Sequence, residues 1–473
     1  MTRAASSQFS FADLEFLDQG VRLEPMLQAI SNFIDGHGDL IDKVRRDLNR
    51  GLKHPHTGRS GLTAQQVLRA LVLQRVKNWD YRELRERIAD GYTLRRFTRF
   101  YSRLVPKHDA FNRAFNRLTP ATLEVINELV VKAAVDLGLE NGKKLRVDTT
   151  VVETDIHHPT DSTLLWDSVR VVTRLVGNLD ELLPHGVPGF TNRNRSARRR
   201  MQEIQRMTPK ERQRQLIPKY RALIRTTEQV VGNAREVLRK TERISSIDLM
   251  TGIAIKAIRE QIEHYCGLGD RVIDQAQRRV LDREQVTNEE KIFSIFEIHT
   301  DLIKRGKIMK PVEFGHKVYI AESARGLITQ YRVLDGNPAD EDHVESSLQR
   351  HKETFGKVPK IYSADRGFYS QENIRQCKGA GIELVCIPQR GGKKSPDQTS
   401  HEKSRSFKAG QRFRAGIEGR ISVLFRGRGM KRCLAEGRER FDLLVGAAVL
   451  ANNLMVIARL LMEKQKRRRR RAA

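Results

Sequence analysis

One extended segment is cut off from the rest of its sheet, and that separation limits the possible folds more than any other feature. Residues 143–154, KKLRVDTTVVET, have the β-branched density of a strand. A lone strand leaves its backbone N–H and C=O groups unpaired, so partners must come from elsewhere in the chain. Extended patterns nevertheless resume only at about residue 292. In between, Leu223, Val230, Val237 and Ile244, with Ile224, Val231 and Leu238, recur at heptad spacing, the mark of an antiparallel helical hairpin packed on itself. Residues 164–290 are therefore expected to be a helical insertion, broken by a solvated basic loop, FTNRNRSARRR, at 190–200.

After the insertion, IFSIFEIHT (292–300), HKVYIAES (316–323) and LITQYRVLDG (327–336) read as strands, the last two as a hairpin through Ser323–Gly326. VPKIYSADRGF and IELVCIPQ (382–389) follow as further strands, and a helix is expected from about Arg414. Asn452, Asn453 and Arg459 interrupt the apolar tract at 443–462, which marks a buried helix rather than a membrane span. The pattern predicts a mixed α/β sheet covered by helices.

Before the first strand the chain reads as helical. Residues 1–60 carry weak helical patterns and end in the loop GLKHPHTGRSG. Thr63 can cap a helix bearing Val67, Leu68, Leu71 and Val72, and a second helix starts near Tyr81. The pair resembles a helix-turn-helix within 61–135, for which DNA reading and simple packing are both open. In YTLRRFTRFYSRLVP, which follows, Arg95, Arg96 and Arg99 interleave with Phe97, Phe100 and Tyr101.

Charge narrows the partner. There are 87 Lys and Arg against 58 Asp and Glu, a formal net charge of +29, spread along the chain and ending in a basic tail, 463–473. That points to a polyanion, and nucleic acid fits better than a membrane. Cys266, Cys377, Cys386 and Cys433 lie far apart with no CxxC pair, as expected of reduced thiols in a cytoplasm. The opening MTRAASSQFSFADLEFL has no continuous apolar run, so no signal peptide is expected.

Two acids stand out. Asp148 sits inside the first strand among Val147, Val151 and Val152, where a solvent-facing edge charge is the competing reading. Asp365 ends a strand in KIYSADRGFYS, and Gly367 allows a sharp exit and close approach of another backbone. Adjacent strands can bring two such carboxylates within about 4 Å, which is tolerable only around a cation that offsets their repulsion. Glu372, Glu383, Glu402, Glu418, Glu436 and Glu439 are possible third acids. Helical spacing favours Glu418, placed with Ile421 and Phe425 on one face expected to pack on the sheet. A partly exposed Glu418 paired with Arg414 or Arg420 is the alternative. A rival metal site at Glu153, Asp155, His157 and His158 is disfavoured because adjacent histidines point apart. His316 and His343 read as ordinary hydrogen-bonding residues, and Asp335 and Asp340 as turn residues beside Gly336, Asn337 and Pro338.

The blocks LRVDTTVVETDIHHPTDSTLLWDSVRV, PVEFGHKVYIAES, VLDGNPADE, IYSADRGFYS and GIEGRISVLFRGRGMKRCLAEG, in this order, resemble DDE transposases of bacterial insertion sequences, most closely the ISNCY group. The resemblance covers about residues 60–460. It implies an RNase H-like catalytic domain at 143–163 and 291–462, a helical N-terminal DNA-binding domain and a long helical insertion after the first catalytic strand. It also implies that Asp148, Asp365 and Glu418 are the catalytic and metal-binding acids, serving two Mg²⁺ ions for which Mn²⁺ substitutes. Of the signature Y-(2)-R-(3)-E-(6)-K, Arg414 and Glu418 fit, while Gln411 and Phe425 replace its Tyr and Lys. Arg420, Arg426, Arg428 and Lys431, with Arg366, Arg414, Arg95, Arg96 and Arg99, are the expected DNA contacts. The implied activity is cleavage at an element's ends and transfer of the freed 3′-hydroxyl to target DNA. Expected partners are double-stranded DNA carrying the terminal inverted repeats, target DNA, and further copies of the chain in a dimer or higher oligomer. The expected location is cytoplasmic, at the bacterial nucleoid, with no membrane partner. An RNase H-like nuclease without strand transfer and a sequence-specific DNA-binding regulator remain the alternatives.

Overall fold

The computed structural model describes residues 2–3, 10–20, 22–54, 57, 59–242, 248–304 and 311–472. They form two compact units, one of Met1–Glu153 with His316–Ala473, the other Thr154–Gly315. The second unit is thus wider than the expected insertion. Its excess at the C-terminal side arises because IFSIFEIHT is not a strand: Ser294 Oγ accepts from the backbone N–H groups of Phe296 and Glu297, closing a turn, while Ile292 and Ile295 join that unit's core.

In the first unit, a two-residue parallel ladder pairs β1 (Thr2–Arg3) with β2 (Arg59–Ser60). That unit's main sheet runs in the order β5 (Val312–Ser323), β3 (Lys144–Thr154), β7 (Ile361–Ser363), β8 (Leu384–Cys386), with β6 (Ile328–Val333) on β5 and β9 (Arg432–Cys433) on β3, while β4 (Asp301–Lys304) belongs to the second unit. β4 pairs with Val312–Gly315, within the second unit. The β5–β6 hairpin is antiparallel as expected, and Gly326 takes the left-handed φ of +91° that its turn requires. β3, β7 and β8 run parallel, with Arg146 level with Ser363 and Ser363 level with Cys386.

Helices cover both faces. Leu145 and Val147 of β3 meet Tyr319 and Tyr362 in a core closed by α13 (Val344–Phe355) and α14 (Gln371–Gly379). Val152, Val318 and Ile320 face the other way, onto α16 (Arg405–Gly427) and α17 (Arg438–Ala472) through Ile417, Leu424, Phe441 and Val445. Strand alternation therefore puts Asp148 on the α16 side, opposite Val147.

The N-terminal helices are not a separate domain. α2 (Pro25–Asp35), α3 (Gly38–Asn49), α4 (Ala64–Lys77), α7 (His108–Phe115) and α8 (Pro120–Asp136) share one apolar core with α17. This explains the long apolar C-terminal tract: α17 alone is long and apolar enough to cross a membrane among the described residues, but 78 % of that window is buried in protein. Asn453 is satisfied there by the backbone N–H and C=O of Ile328, each at 2.9 Å. The terminal Arg467–Arg471 run is exposed on the last turns of the same helix, not on a separate tail.

Thr63 and Gln66 form a capping box at the start of α4, and Asp80 caps α5 (Tyr81–Asp90). α4 is buried almost all round. The outward residues of α5, Arg82, Glu86, Arg87 and Asp90, mix both signs of charge, so this pair presents no single-sign basic face.

The second unit is built from α9 (Asp161–Leu182), α10 (Asn194–Arg206), α11 (Pro209–Lys240) and α12 (Leu249–Ala276). The heptad positions of α11, Leu223, Ile224, Val230, Val231, Val237 and Leu238, are buried as expected, while Ile244 lies outside the described residues. The stretch read as a basic loop is mostly helix. Ala197, Met201 and Ile204, at i, i+4 and i+7, give α10 an apolar face that extends past the window that suggested a loop.

Candidate active site

Asp148 and Asp365 are brought together by strand register. Each lies two residues beyond the paired Arg146 and Ser363 of adjacent parallel strands, so the two stand level at the same end of the sheet. Asp148 is 8 % exposed, and its Oδ1 accepts from the N–H of Thr149 at 2.8 Å. The solvent-facing edge reading is therefore wrong: β3 is an inner strand. Asp365 caps a 3₁₀ turn, Arg366–Phe368, its Oδ1 accepting from Gly367 N–H at 2.8 Å.

The third acid arrives on α16, which Ser404 caps and which begins at Arg405, earlier than the sequence suggested. Its buried stripe is Phe407, Gly410, Ile417 and Leu424. Glu418 follows Ile417 by one position, about 100° around the helix, and is 69 % exposed at its side chain. It does not lie on the packed face; it takes the alternative arrangement, an i, i+4 pair with Arg414.

Arg414 joins all three acids. Its guanidinium donates to Asp148 Oδ2 at 2.9 Å and to Glu418 Oε1 at 3.2 Å, and lies 3.6 Å from Asp365 Oδ2. The carboxylates thus converge on a shared cation rather than directly on one another, and among the described residues no group of three or more His, Cys, Asp or Glu is close enough to hold a metal ion. Gln411, in the signature's Tyr position, donates from Nε2 to the carbonyls of Ala364 at 3.1 Å and Cys386 at 2.6 Å, tying α16 to the ends of β7 and β8.

Gly410 sets how closely α16 lies on the sheet, because a Cβ there would run into Cys386 Sγ and stand 3.0 Å from Cys386 Cβ. Gly410→Ala should push the helix outward, destabilise the unit by about 1–3 kcal/mol through overpacking, and loosen the Arg414 contacts. Equilibrium unfolding measures the loss, and wild-type stability would rule out this close packing.

Asp340 was read from sequence as a turn residue, yet it lies beside the acids. Its Oδ1 accepts from Thr149 Oγ1 at 2.9 Å and pairs with Lys317 Nζ at 2.7 Å. A Cβ on Gly367 would come within 2.8 Å of its Oδ2. A larger residue at 367 would therefore have to move the Asp340 carboxylate aside. The sequence carries no signal that singles Asp340 out, since it is one of twelve aspartates between Asp148 and Asp365.

Several expected DNA contacts are committed to the fold instead. Arg95 donates to the carbonyls of Tyr101, Ala89 and Arg103, and Arg99 pairs with Asp35 at 2.6 Å. Arg428 donates to the carbonyls of Val76 and Gly427. Arg420 and Arg146 flank the fully buried Glu322, and Arg420 also reaches Asn452 Oδ1 at 3.0 Å. Arg96 is half-buried, whereas Arg366, Arg426 and Lys431 are exposed.

The rival histidine site does not form. His157 Nε2 meets Asp167 Oδ2 at 2.6 Å, a hydrogen bond that raises the imidazole's pKa above its ordinary value, and His158 packs edge-on against Phe314. His316 packs edge-on against Phe441, and burial lowers the pKa of His343. Burial also pushes the Cys377 thiol up to about 12 and that of Cys386 up to about 11, which leaves neither as a nucleophile.

Residues 15–117 match the family model described as Transposase domain (DUF772), and residues 303–454 match the model described as Transposase DDE domain. Together they span more than half of the chain. Asp365 and Glu418 fall inside the second match; Asp148 lies between the two. No curated protein and no solved structure matches the chain. The mixed sheet with helices on both faces is the RNase H-like α/β arrangement of a DDE domain, preceded here by a helical N-terminal region. Fold and both matches agree, and the chain belongs to the DDE transposases of insertion sequences, enzymes whose substrate is DNA.

Proposed function

We propose that the chain binds the ends of its insertion sequence and catalyses metal-dependent strand cleavage and strand transfer, with Asp148, Asp365 and Glu418 as the catalytic acids. The observation that carries this reading is their convergence on the single guanidinium of Arg414. Three carboxylates that already share one cation form a hard-oxygen donor set suited to Mg²⁺ or Mn²⁺. The residues fit, and Asp148, Asp365 and Glu418 would hold the ions in exchange for Arg414. Two bound ions supply activation of the attacking oxygen and stabilisation of the leaving one.

The chain's own groups do the positioning. Thr149 N–H fixes the Asp148 carboxylate and Gly367 N–H fixes that of Asp365. With ions held by the acids, Arg414 would be free to face a DNA phosphate, and exposed Arg366, Arg426 and Lys431 would add further phosphate contacts. The protein works as a dimer or higher oligomer on DNA, in the cytoplasm at the nucleoid.

Glu418→Gln tests the least buried member of the set. It keeps the side chain's size and exposed position but removes its charge, so cleavage in Mg²⁺ should fall on the order of a hundredfold or more. Glu436→Gln and Glu439→Gln, on the same side of the sequence, should stay near wild type. A Glu418→Gln protein that cleaves normally would remove Glu418 from the catalytic acids.

A further inference from the structure

The second unit carries a strongly charged face to which the catalytic reading gives no role. Residues 194–240, the α10–α11 hairpin, contain 14 Lys and Arg against four Glu, a net +10. On α11, exposed Lys210, Arg214, Arg221 and Arg225 fall within a sector of about 60° at 100° per residue, on the side away from buried Tyr220, Leu223 and Thr227. None of these four is in an ion pair among the described residues. Lys219, pointing toward α10, pairs instead with Glu203.

A face that is merely solvated would balance its charges, whereas this sector sets the four cations against one exposed acid just past the row, Glu228, which accepts from Gln277 Nε2 at 3.1 Å. Here Lys210 with Arg214, and Arg221 with Arg225, are like charges at i, i+4, a spacing at which repulsion costs about 0.2–0.5 kcal/mol per pair. The row rises 1.5 Å per residue and so is about 22 Å long, enough to run beside about six phosphates of one DNA strand. No large apolar side chain between residues 194 and 240 is exposed, so the face has nothing to insert into a lipid surface.

We propose that this α11 row is a sequence-independent binding face for the phosphate backbone of double-stranded DNA. The proposal rests on the transposase reading, since it supplies grip on the same substrate, but it can fail separately. Each guanidinium on a phosphate releases about one counterion, and base edges play no part.

The test uses the full chain carrying Arg214→Gln, Arg221→Gln and Arg225→Gln together, titrated by fluorescence anisotropy against random-sequence and element-end duplexes at several salt concentrations. The slope of log affinity against log salt should shrink by about three, with affinity falling on the order of tenfold or more for both DNAs alike. The matching triple Lys variant should keep the wild-type slope. An unchanged slope in the Gln variant, a loss confined to element-end DNA, or an equal loss in the Lys variant would each overturn the proposal. Cleavage that depends on Asp148 would stand untouched by those outcomes. Conversely, a wild-type chain that binds through this face yet never cleaves DNA would sink the transposase chemistry and leave the face intact.

Discussion

Asp148→Ala or Asp365→Ala should abolish DNA cleavage and joining in Mg²⁺ while leaving binding to element ends close to wild type. Each substitution deletes an acid that is held in place by a backbone hydrogen bond, from Thr149 N–H to Asp148 and from Gly367 N–H to Asp365. Loss of even one preorganised transition-state contact costs on the order of 10²–10³ in rate, and a metal-binding acid should cost more. Affinity should persist because Lys and Arg contacts to phosphates dominate it, and both substitutions make the site less negative. Gel-shift and cleavage assays on one preparation separate the two effects. Normal cleavage by either variant would end the carboxylate assignment.

Stability should respond most to Glu322→Ala. Glu322 is 0 % exposed and lies between two guanidinium groups, with Arg146 Nη2 at 2.7 Å and Arg420 Nε at 2.9 Å. Together they bind β5, β3 and α16 to one another. Removing the carboxylate leaves two partly buried cations without their shared acid, a loss of about 3–5 kcal/mol for a broken buried pair. Glu322→Gln keeps the acceptor oxygen and should lose less. Denaturant unfolding reads the difference, and a loss below about 1 kcal/mol would show that water replaces the carboxylate at no great cost.

Both predictions rest on features that differ in how readily the sequence reveals them. The two aspartates were legible because a carboxylate within a β-branched run, and another at a strand end before glycine, are each costly without a cation. The parallel register that makes them level depends on which strands are neighbours, and local pattern does not encode that. Glu418 was found in sequence, but the favoured setting on the packed face was not the right one; the exposed pairing with Arg414, the alternative, is what forms. The true helix start at Arg405 and the buried stripe from Phe407 to Leu424 turn Glu418 outward, and only the Arg414 pair ties it to the site. Arg95 and Arg99 looked like a nucleic-acid contact because basic and aromatic residues alternate there; tertiary structure uses them to hold carbonyls and Asp35. The N-terminal helices looked like a domain of their own because the helix that completes their core, α17, lies at the far end of the chain. Asp340 was missed because an aspartate near Gly336 and Pro338 has an adequate local explanation as a turn residue.

The central claim is that these acids join DNA as well as cut it. Purified full chain, incubated with Mg²⁺ and DNA carrying the ends of its own element plus a target duplex, should yield joints in which an element 3′ end is covalently linked to target DNA. Those joints should be mapped by sequencing across them, and they should disappear with Asp148→Ala. Cleaved ends that never appear joined, or joints formed equally well by Asp148→Ala, would contradict the account.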